Sequence, residues 1–384
     1  MGKIRVMIVD DAVVIRRLVT DAISADPDIE VVGTASNGRI AIQKLTQLQP
    51  DVITMDVEMP EMDGLQAVTE IRKTHPKIPI IMFSTLTERG GQATLEALAR
   101  GATDYVTKPA NVGSISEGIA RCRDELVPKI KWLSGRISTR PESAPRIGNA
   151  SRIGGAPSGR MPVAGPGPVA ISNTVRKPRP VGPPGIDAIA IGVSTGGPVA
   201  IGKVFPMFPA DLAVPIFVVQ HMPPVFTRLL ADRLATTCKV KVCEGEPGMK
   251  VVPGTIYIAP GGFHMTVKRV GNVVEIGTNS LPHECSCRPA VDHLFRSVSQ
   301  VYGHRLAAAV LTGMGHDGMR GAEVIRDAGG DVIAQDEQSS VVWGMPGAVV
   351  NAQLADEVLP IERIAESLVR RARAGRSVAS LSVA

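Results

Sequence analysis

The first 125 residues alternate between short apolar runs and longer amphipathic stretches. The amphipathic stretches, such as Val13–Ser24 and Gly38–Leu48, have the spacing of helices that bury one face. The apolar runs predict five strands, at Ile4–Val9, Glu30–Thr34, Asp51–Met55, Ile78–Phe83 and Asp104–Thr107. Alternation of strands and helices is typical of a parallel, doubly wound sheet. We therefore predict an α/β domain with a five-stranded parallel sheet over residues 1–128.

A second α/β pattern follows, and we predict a second domain over residues 185–370. Its strands are expected around Ile186–Ile191, Pro215–Gln220, Leu306–Leu311, Thr255–Ala259, Thr266–Lys268, Val273–Ile276, Asp331–Ala334 and Glu357–Leu359. The dipeptide Gly271-Asn272 between two of these runs indicates a hairpin, so the doubly wound sheet is expected to be mostly parallel. Residues 371–384 are predicted to be a basic tail.

The stretch between the two patterns, residues 129–184, has a different composition. It holds ten Pro, eight Gly, ten Lys or Arg and one Glu, so its net charge is 10 − 1 = +9. The whole chain of 384 residues carries +5, which leaves 5 − 9 = −4 for the remainder. Such a segment buries too little apolar surface to offset chain entropy, and we predict a flexible linker. Without stacking aromatic residues or a recognition helix, its charge does not indicate specific nucleic-acid binding.

Composition narrows the class of protein further. The chain starts with a strand and acidic residues rather than a signal peptide, and no apolar run approaches the roughly 18 residues of a membrane helix. We expect a cytoplasmic monomer without membrane insertion. The five cysteines are odd in number, which argues against a disulfide framework. Zinc binding by His283, Cys285, Cys287 and His293 is the alternative, but structural thiols are favoured because the C-x-C spacing is unusual for zinc.

Three side chains suited to nucleophilic catalysis each follow a predicted strand of the second domain. Ser194 lies in a G-x-S-x-G sequence, which is the pattern of a nucleophile elbow but also occurs in ordinary glycine-rich turns. His221 and Asp317 follow two other strands, and ligands bind where the carboxyl ends of parallel strands meet. We interpret them as nucleophile, base and orienting carboxylate. His221 is favoured over His316, since neighbouring loop residues such as His316 and Asp317 usually point apart.

An acidic cluster is predicted at the corresponding edge of the first domain. Asp10 and Asp11 end the first strand and Asp56 follows the third, so the three carboxylates are expected to converge. They would repel one another unless a hard cation such as Mg²⁺ neutralised them. Ser84 and Lys108 follow the fourth and fifth strands, and Lys108 can pair with a carboxylate or a phosphoryl oxygen.

Over residues 1–125 this pattern resembles the receiver domains of response regulators. The motifs that carry the resemblance are Asp10-Asp11, Asp56, Met59-Pro60, Asp63-Gly64, Ser84-Thr85 and Lys108-Pro109. The resemblance implies that Asp56 accepts a phosphoryl group from a histidine kinase. It also implies that Asp11, Asp56 and the Glu58 carbonyl ligate Mg²⁺, with Asp10 assisting through water. Ser84, Tyr105 and Lys108 would then respond to the phosphoryl group.

The second domain resembles the chemotaxis protein-glutamate methylesterases, the CheB family. The resemblance rests on four motifs: Gly192-Val193-Ser194-Thr195-Gly196-Gly197, Gln220-His221-Met222-Pro223, Tyr257-Ile258-Ala259-Pro260-Gly261-Gly262-Phe263-His264 and Leu311-Thr312-Gly313-Met314-Gly315-His316-Asp317-Gly318. It implies hydrolysis of glutamate methyl esters, and deamidation of glutamines, on methyl-accepting chemotaxis receptors. Ser194 would attack, His221 would move the proton and Asp317 would orient His221. The Met314 amide and donors near Thr195 would stabilise the oxyanion, with no cofactor in this domain.

The combination of the two domains suggests regulation. The unphosphorylated first domain is expected to cover the edge at Ser194, and phosphorylation of Asp56 is expected to relieve that inhibition. Two alternatives stay open on sequence alone. One is a phosphorylation-controlled binding module with a vestigial hydrolase site, and the other is an esterase that serves receptors outside flagellar chemotaxis.

Overall fold

The computed structural model describes residues 2–109, 115–135 and 185–374. The strands are β1 Ile4–Val9, β2 Ile29–Ala35, β3 Val52–Asp56, β4 Ile80–Ser84, β5 Asp104–Thr107, β6 Ala188–Val193, β7 Ile216–Gln220, β8 Lys241–Glu244, β9 Thr255–Ile258, β10 His264–Val270, β11 Val273–Asn279, β12 Leu306–Val310, β13 Asp331–Gln335 and β14 Glu357–Leu359. The α-helices are α1 Val13–Ser24, α2 Gly38–Leu48, α3 Gly64–Thr74, α4 Glu88–Ala99, α5 Ile115–Leu133, α6 Gly197–Val204, α7 Phe226–Ala235, α8 Val291–Tyr302, α9 Met319–Asp327, α10 Met345–Asn351 and α11 Ile361–Arg373. Within the described ranges, none of these helices combines the length and apolar character required to cross a bilayer.

The N-terminal domain is the predicted five-stranded parallel sheet. Its strand order is β2-β1-β3-β4-β5, and each neighbouring pair is parallel. The chain leaves β1 towards β2 on one side and continues from β3 to β5 on the other. The strand order therefore reverses between β1 and β3, which is where open sheets of this kind bind ligands. The residues that follow β1 and end β3 are Asp10, Asp11 and Asp56.

The C-terminal domain has a seven-stranded sheet in the order β14-β13-β12-β6-β7-β9-β8. All six neighbouring pairs are parallel. The predicted hairpin of β10 and β11 exists, but it forms a separate two-stranded sheet. The short edge strand β8 was not predicted. Here the strand order reverses between β6 and β12, so the residues that follow these two strands lie side by side.

The central strands are apolar apart from Gln220 at the end of β7, because helices cover both faces of the large sheet. Every residue of β6, β7 and β12 is buried. Several of these residues are small, and this allows the helices to approach closely. A Cβ atom placed on Gly192 of β6 would lie 2.3 Å from Cγ1 of Val291, the first residue of α8. The glycine thus lets the start of α8 sit directly against β6.

The N-terminal domain continues past the predicted boundary at residue 128. Helix α5 runs to Leu133, and Ile130 within it is fully buried. Lys129 reinforces this turn of the helix by pairing with Asp104 at 2.5 Å. At the other end, α11 extends to Arg373, three residues beyond the predicted end of the second domain. The remaining residues of the predicted linker and tail, 136–184 and 375–384, lie outside the described residues.

Candidate active site

Ser194 occupies a tight turn between β6 and α6. Its amide donates to the Thr312 carbonyl at 3.0 Å, which fixes the turn against the end of β12. The turn requires glycine at two positions. Gly196 has a φ of +73°, in the left-handed region. A Cβ atom on Gly197 would lie 1.9 Å from Oε1 of Gln220. The local structure is therefore the strand–turn–helix that the G-x-S-x-G pattern predicts.

Ser194, His221 and Asp317 come from the ends of three different strands and meet as a hydrogen-bonded chain. Nδ1 of His221 lies 3.0 Å from Oγ of Ser194. Nε2 of His221 lies 2.8 Å from Oδ2 of Asp317. A neutral imidazole with its proton on Nε2 donates to Asp317 and accepts the serine proton at Nδ1, which is the arrangement of a hydrolytic triad. The neighbouring His316 is exposed and lies outside this chain of contacts.

Backbone donors keep Asp317 in place and ionised. Its carboxylate is 2% exposed and accepts the amides of Val291 at 2.7 Å, Asp292 at 2.9 Å and Gly318 at 2.9 Å. Two of these amides belong to the first turn of α8, where the helix dipole also favours negative charge. Burial opposes ionisation, but the contact with His221 and these amides outweigh it and lower the pKa of Asp317. The group therefore presents a fixed negative charge to His221.

A cysteine that sequence reasoning treated as structural also contacts His221. Sγ of Cys287 lies 3.4 Å from Nδ1 of His221, the same nitrogen that faces Ser194. Burial disfavours the imidazolium form, but hydrogen bonds with Asp317 and Cys287 outweigh it and raise the pKa of His221. The sequence carried no signal for this contact, because Cys287 is 66 positions away from His221.

Two backbone amides near Ser194 are available to stabilise an oxyanion. Among the described residues, neither the Thr195 amide nor the Met314 amide has a hydrogen-bond acceptor. The loop after β12 approaches the serine closely, because a Cβ atom on Gly313 would lie 2.8 Å from Cβ of Ser194. The hydroxyl of Thr312 donates to the Thr195 carbonyl at 3.0 Å and ties the two loops together. Both amides thus lie in loops that border Ser194.

The acidic cluster of the N-terminal domain assembles around Lys108. Nζ of Lys108 lies 2.8 Å from Oδ2 of Asp10 and 2.8 Å from Oδ2 of Asp56. Carboxylate oxygens of Asp10, Asp11 and Asp56 lie within 4.8 Å of one another. Burial, together with the charge of Asp10, raises the pKa of Asp56 to about 6 against the pull of Lys108. Three hard oxygen donors in this space suit Mg²⁺. Glu58, which borders the same depression as Asp11, can add a carbonyl.

Ser84 and Tyr105, two of the three residues predicted to respond to a phosphoryl group, contact elements that lead to the C-terminal domain. Ser84 is buried, and its hydroxyl donates to the Gly90 carbonyl in α4 at 3.0 Å. Tyr105 is stacked on Phe226 of α7, with ring centroids 5.1 Å apart and an interplanar angle of 11°. Tyr105 is thus in direct contact with the helix that follows the His221 loop, which the sequence did not reveal.

Helix α4 forms the rest of this interface. Gly91 allows the close approach, because a Cβ atom there would lie 2.7 Å from Cδ1 of Leu229. Two ion pairs flank the apolar contact. Arg233 pairs with Glu96 at 3.0 Å, and Arg228 pairs with Glu88 at 3.2 Å. These pairs are exposed enough that the apolar contact dominates the interaction. The N-terminal domain therefore packs on α7, and α4 also contacts α6, the helix after Ser194.

Known families and proteins match both halves of the chain. The family described as CheB methylesterase matches residues 189–368, and the response regulator receiver domain matches residues 6–120. A protein from Nocardioides sp. named protein-glutamate methylesterase/protein-glutamine glutaminase is 50% identical over 373 residues, which cover 97% of this chain and 96% of that protein. A protein of the same name from Trichodesmium erythraeum is 45% identical, with coverage of 97% and 99%. The crystal structure of the Thermotoga maritima CheB methylesterase catalytic domain is 42% identical and covers 48% of this chain and 98% of that one, with a TM-score of 0.48.

Proposed function

The chain belongs to the CheB methylesterase family with an N-terminal receiver domain, and we propose that it is a protein-glutamate methylesterase and protein-glutamine glutaminase controlled by phosphorylation. The observation that carries the hydrolase is the chain of contacts from Ser194 through His221 to Asp317, at 3.0 Å and 2.8 Å. Its substrates are the methyl-accepting chemoreceptors, whose modified glutamates lie on cytoplasmic helices. The proposal therefore places the protein in the cytoplasm and gives it a role in sensory adaptation.

The proposed reaction is a two-step acyl transfer. Oγ of Ser194 attacks the side-chain carbonyl of the methylated glutamate while Nδ1 of His221 takes the serine proton. Asp317 stabilises the imidazolium that forms. The amides of Thr195 and Met314 receive the developing oxyanion, each contributing about 3 kcal/mol to lowering the barrier. His221 returns the proton to the departing methanol. Water then cleaves the acyl-enzyme by the same route and releases glutamate.

Glutamine deamidation follows the same steps with ammonia as the leaving group. In this reaction His221 must protonate the leaving nitrogen, because an amine leaves only after it has been protonated. The same three side chains therefore support both reactions, and the carboxylate product is identical.

The receiver domain is proposed to be phosphorylated on Asp56 by a chemotaxis histidine kinase. Asp11, Asp56 and the Glu58 carbonyl would hold Mg²⁺, with Asp10 acting through water. Bound there, Mg²⁺ supplies positive charge that offsets the repulsion between Asp56 and an incoming phosphoryl group. Nζ of Lys108 lies 2.8 Å from Oδ2 of Asp56. The same ammonium group can pair with a phosphoryl oxygen on Asp56.

Control of the esterase is proposed to run through the interface between the domains. A phosphoryl group on Asp56 would draw the Ser84 hydroxyl away from Gly90 of α4, to which it now donates at 3.0 Å. Tyr105 and α4 pack on α7, so a change in either alters the packing of the helix after His221. In the unphosphorylated state this packing would keep the receiver over the serine edge. The receiver in this proposal extends to residue 135, the linker covers 136–184 and the catalytic domain begins at residue 185.

Methanol release from methylated receptor fragments tests the proposal. The full chain is assayed with and without a small-molecule phosphodonor and Mg²⁺, and Ser194→Ala is the control for catalysis. We expect release from the wild type, an increase with phosphodonor, and none from the variant. No release from folded wild-type protein under either condition would refute the esterase. A chain without residues 1–135 should show a raised basal rate, and an unchanged rate would contradict inhibition by the receiver.

A further inference from the structure

Residues 284–287 form a tight turn beside Ser194, His221 and Asp317, and the two cysteines of this turn, Cys285 and Cys287, contact different groups. Glu284 and Cys287 exchange two backbone hydrogen bonds, at 3.1 Å and 2.9 Å, and so close a tight turn. The central residues Cys285 and Ser286 both have left-handed backbones, with φ of 51° and 61°. Such conformations are costly for residues other than glycine and persist only when the surrounding structure imposes them. Arg296 does so by holding the Glu284 carboxylate through two hydrogen bonds, at 2.9 Å and 2.5 Å.

This turn places the Cys287 thiol on the nitrogen that serves as base. Sγ of Cys287 and Oγ of Ser194 lie 3.4 Å and 3.0 Å from the same atom, Nδ1 of His221. One imidazole therefore faces two nucleophiles. A thiol ionises far more readily than an alcohol, with an ordinary pKa of about 8.5. A base that can activate Ser194 is therefore also able to take the proton of Cys287.

Cys285, two residues away, lies closer to carboxylates, and its contact with an imidazole, Nε2 of the exposed His316, is longer, at 3.8 Å. It is partly buried, as Cys287 is. Its sulfur lies within 4.8 Å of carboxylate oxygens of Asp292 and Asp317. Burial and these negative charges raise the pKa of Cys285 to about 12. Since the thiolate is the reactive form, the carboxylates suppress the reactivity of Cys285, whereas the sulfur of Cys287 lies 3.4 Å from the imidazole nitrogen that also faces Ser194. The turn thus contains its own matched control.

We propose that Cys287 is an oxidation site, at which a peroxide converts the thiol to a sulfenic acid and thereby stops hydrolysis at Ser194. In the reaction, Nδ1 of His221 takes the thiol proton and the sulfur attacks one peroxide oxygen. An S–O bond forms, the O–O bond breaks, and hydroxide leaves with the proton to become water. The sulfur loses two electrons and the peroxide gains them. The added oxygen then occupies the space beside Nδ1 and Ser194.

The selectivity of the modification is tested without any assay of activity. The full-length protein is exposed to hydrogen peroxide, sulfenic acid is trapped with dimedone, and the labelling of each cysteine is followed by mass spectrometry. Cys287 should label at least about tenfold faster than Cys285, and His221→Ala should reduce that advantage about tenfold or more. Equal labelling of the two cysteines would overturn the proposal, as would a rate at Cys287 that does not depend on His221.

The effect on the esterase rests on the proposed function and needs a second experiment. Methanol release is measured before and after peroxide treatment, and each protein is compared with its own untreated rate. The wild type and Cys285→Ala should lose most of their activity, whereas Cys287→Ala should keep it. Equal losses in all three proteins would overturn the proposal. If untreated wild-type protein releases no methanol, the esterase assignment fails instead, and the labelling experiment still decides the reactivity of Cys287.

Discussion

Replacing Asp292 with asparagine should stabilise the C-terminal domain at neutral pH. Asp292 lies on α8 and is fully buried. Its Oδ1 accepts the Gly321 amide at 2.6 Å, whereas its Oδ2 has no hydrogen-bond partner among the described residues. Burial, together with the nearby Asp317 carboxylate, raises the pKa of Asp292 from 3.8 to about 6. The folded protein therefore carries an unfavourable charge at this position at pH 7.

The size and sign of the effect follow from that shift. The folded domain holds the proton of Asp292 up to pH about 6, whereas the unfolded chain releases it near 3.8. The proton thus contributes stability that is fully present below pH 3.8 and is lost as the pH rises through 6. Two pK units correspond to about 3 kcal/mol. Asparagine keeps an oxygen for the Gly321 amide and carries no charge, so Asp292→Asn should recover about 1–3 kcal/mol at pH 7 and little at pH 4.

Urea unfolding at the two pH values provides the measurement. Trp343 lies in the C-terminal domain, and its fluorescence can be isolated in a Trp132→Phe background. The control is Asp232→Asn, which removes the same charge from an exposed position on α7. We expect it to change the free energy of unfolding by less than about 0.5 kcal/mol. A loss of stability in Asp292→Asn at pH 7, or an equal gain at pH 4 and pH 7, would refute the reasoning.

Three further predictions address catalysis and control. Gly91→Val places atoms where Leu229 now packs, so the contact between the two domains should weaken by about 1–3 kcal/mol. Basal methanol release without phosphodonor should then rise about 5- to 150-fold. An unchanged rate in folded protein would contradict inhibition of the esterase through this interface. Asp317→Asn should lower kcat about 10⁴-fold because His221 loses its charged partner, and a loss below tenfold would remove Asp317 from the triad. Asp56→Asn should abolish the stimulation of methanol release by phosphodonor and the phosphoryl mass increase while leaving the basal rate intact; persistent stimulation would mean that another residue accepts the phosphoryl group.

The alternation of apolar and amphipathic segments was sufficient to predict both α/β domains and the parallel sheets. It worked because strands buried on both faces must be apolar throughout, and this pattern is local in the chain. The prediction of strand and domain bounds was less accurate for segments at the edges of the sheets and at the ends of the domains. The short edge strand β8 begins with exposed Lys241 and was missed. Helix α5 continues beyond residue 128, where the first domain was predicted to end, and its last turns bury Ile130 and pair Lys129 with Asp104.

The residues of both candidate sites could be proposed from the sequence, since they end or follow strands and belong to motifs of the two families that the chain resembles. Their mutual geometry could not, because it depends on strand order. Asp317 is 96 positions along the chain from His221 and reaches it only because β12 returns to lie beside β6. No local pattern specifies that crossover. The same holds for the stacking of Tyr105 on Phe226, which joins two domains across the linker.

Sequence by itself therefore determined the elements, the domain classes and the kinds of chemistry, because these follow from periodicity and from residue types at strand ends. Tertiary structure alone decided which side chains touch. Cys287 illustrates the difference: its sequence neighbours indicate an ordinary thiol, and only the folded turn from Glu284 to Cys287 places its sulfur 3.4 Å from the His221 imidazole. Contacts of this kind arise from the packing of distant segments, where the surrounding charges, rather than the residue type, determine reactivity.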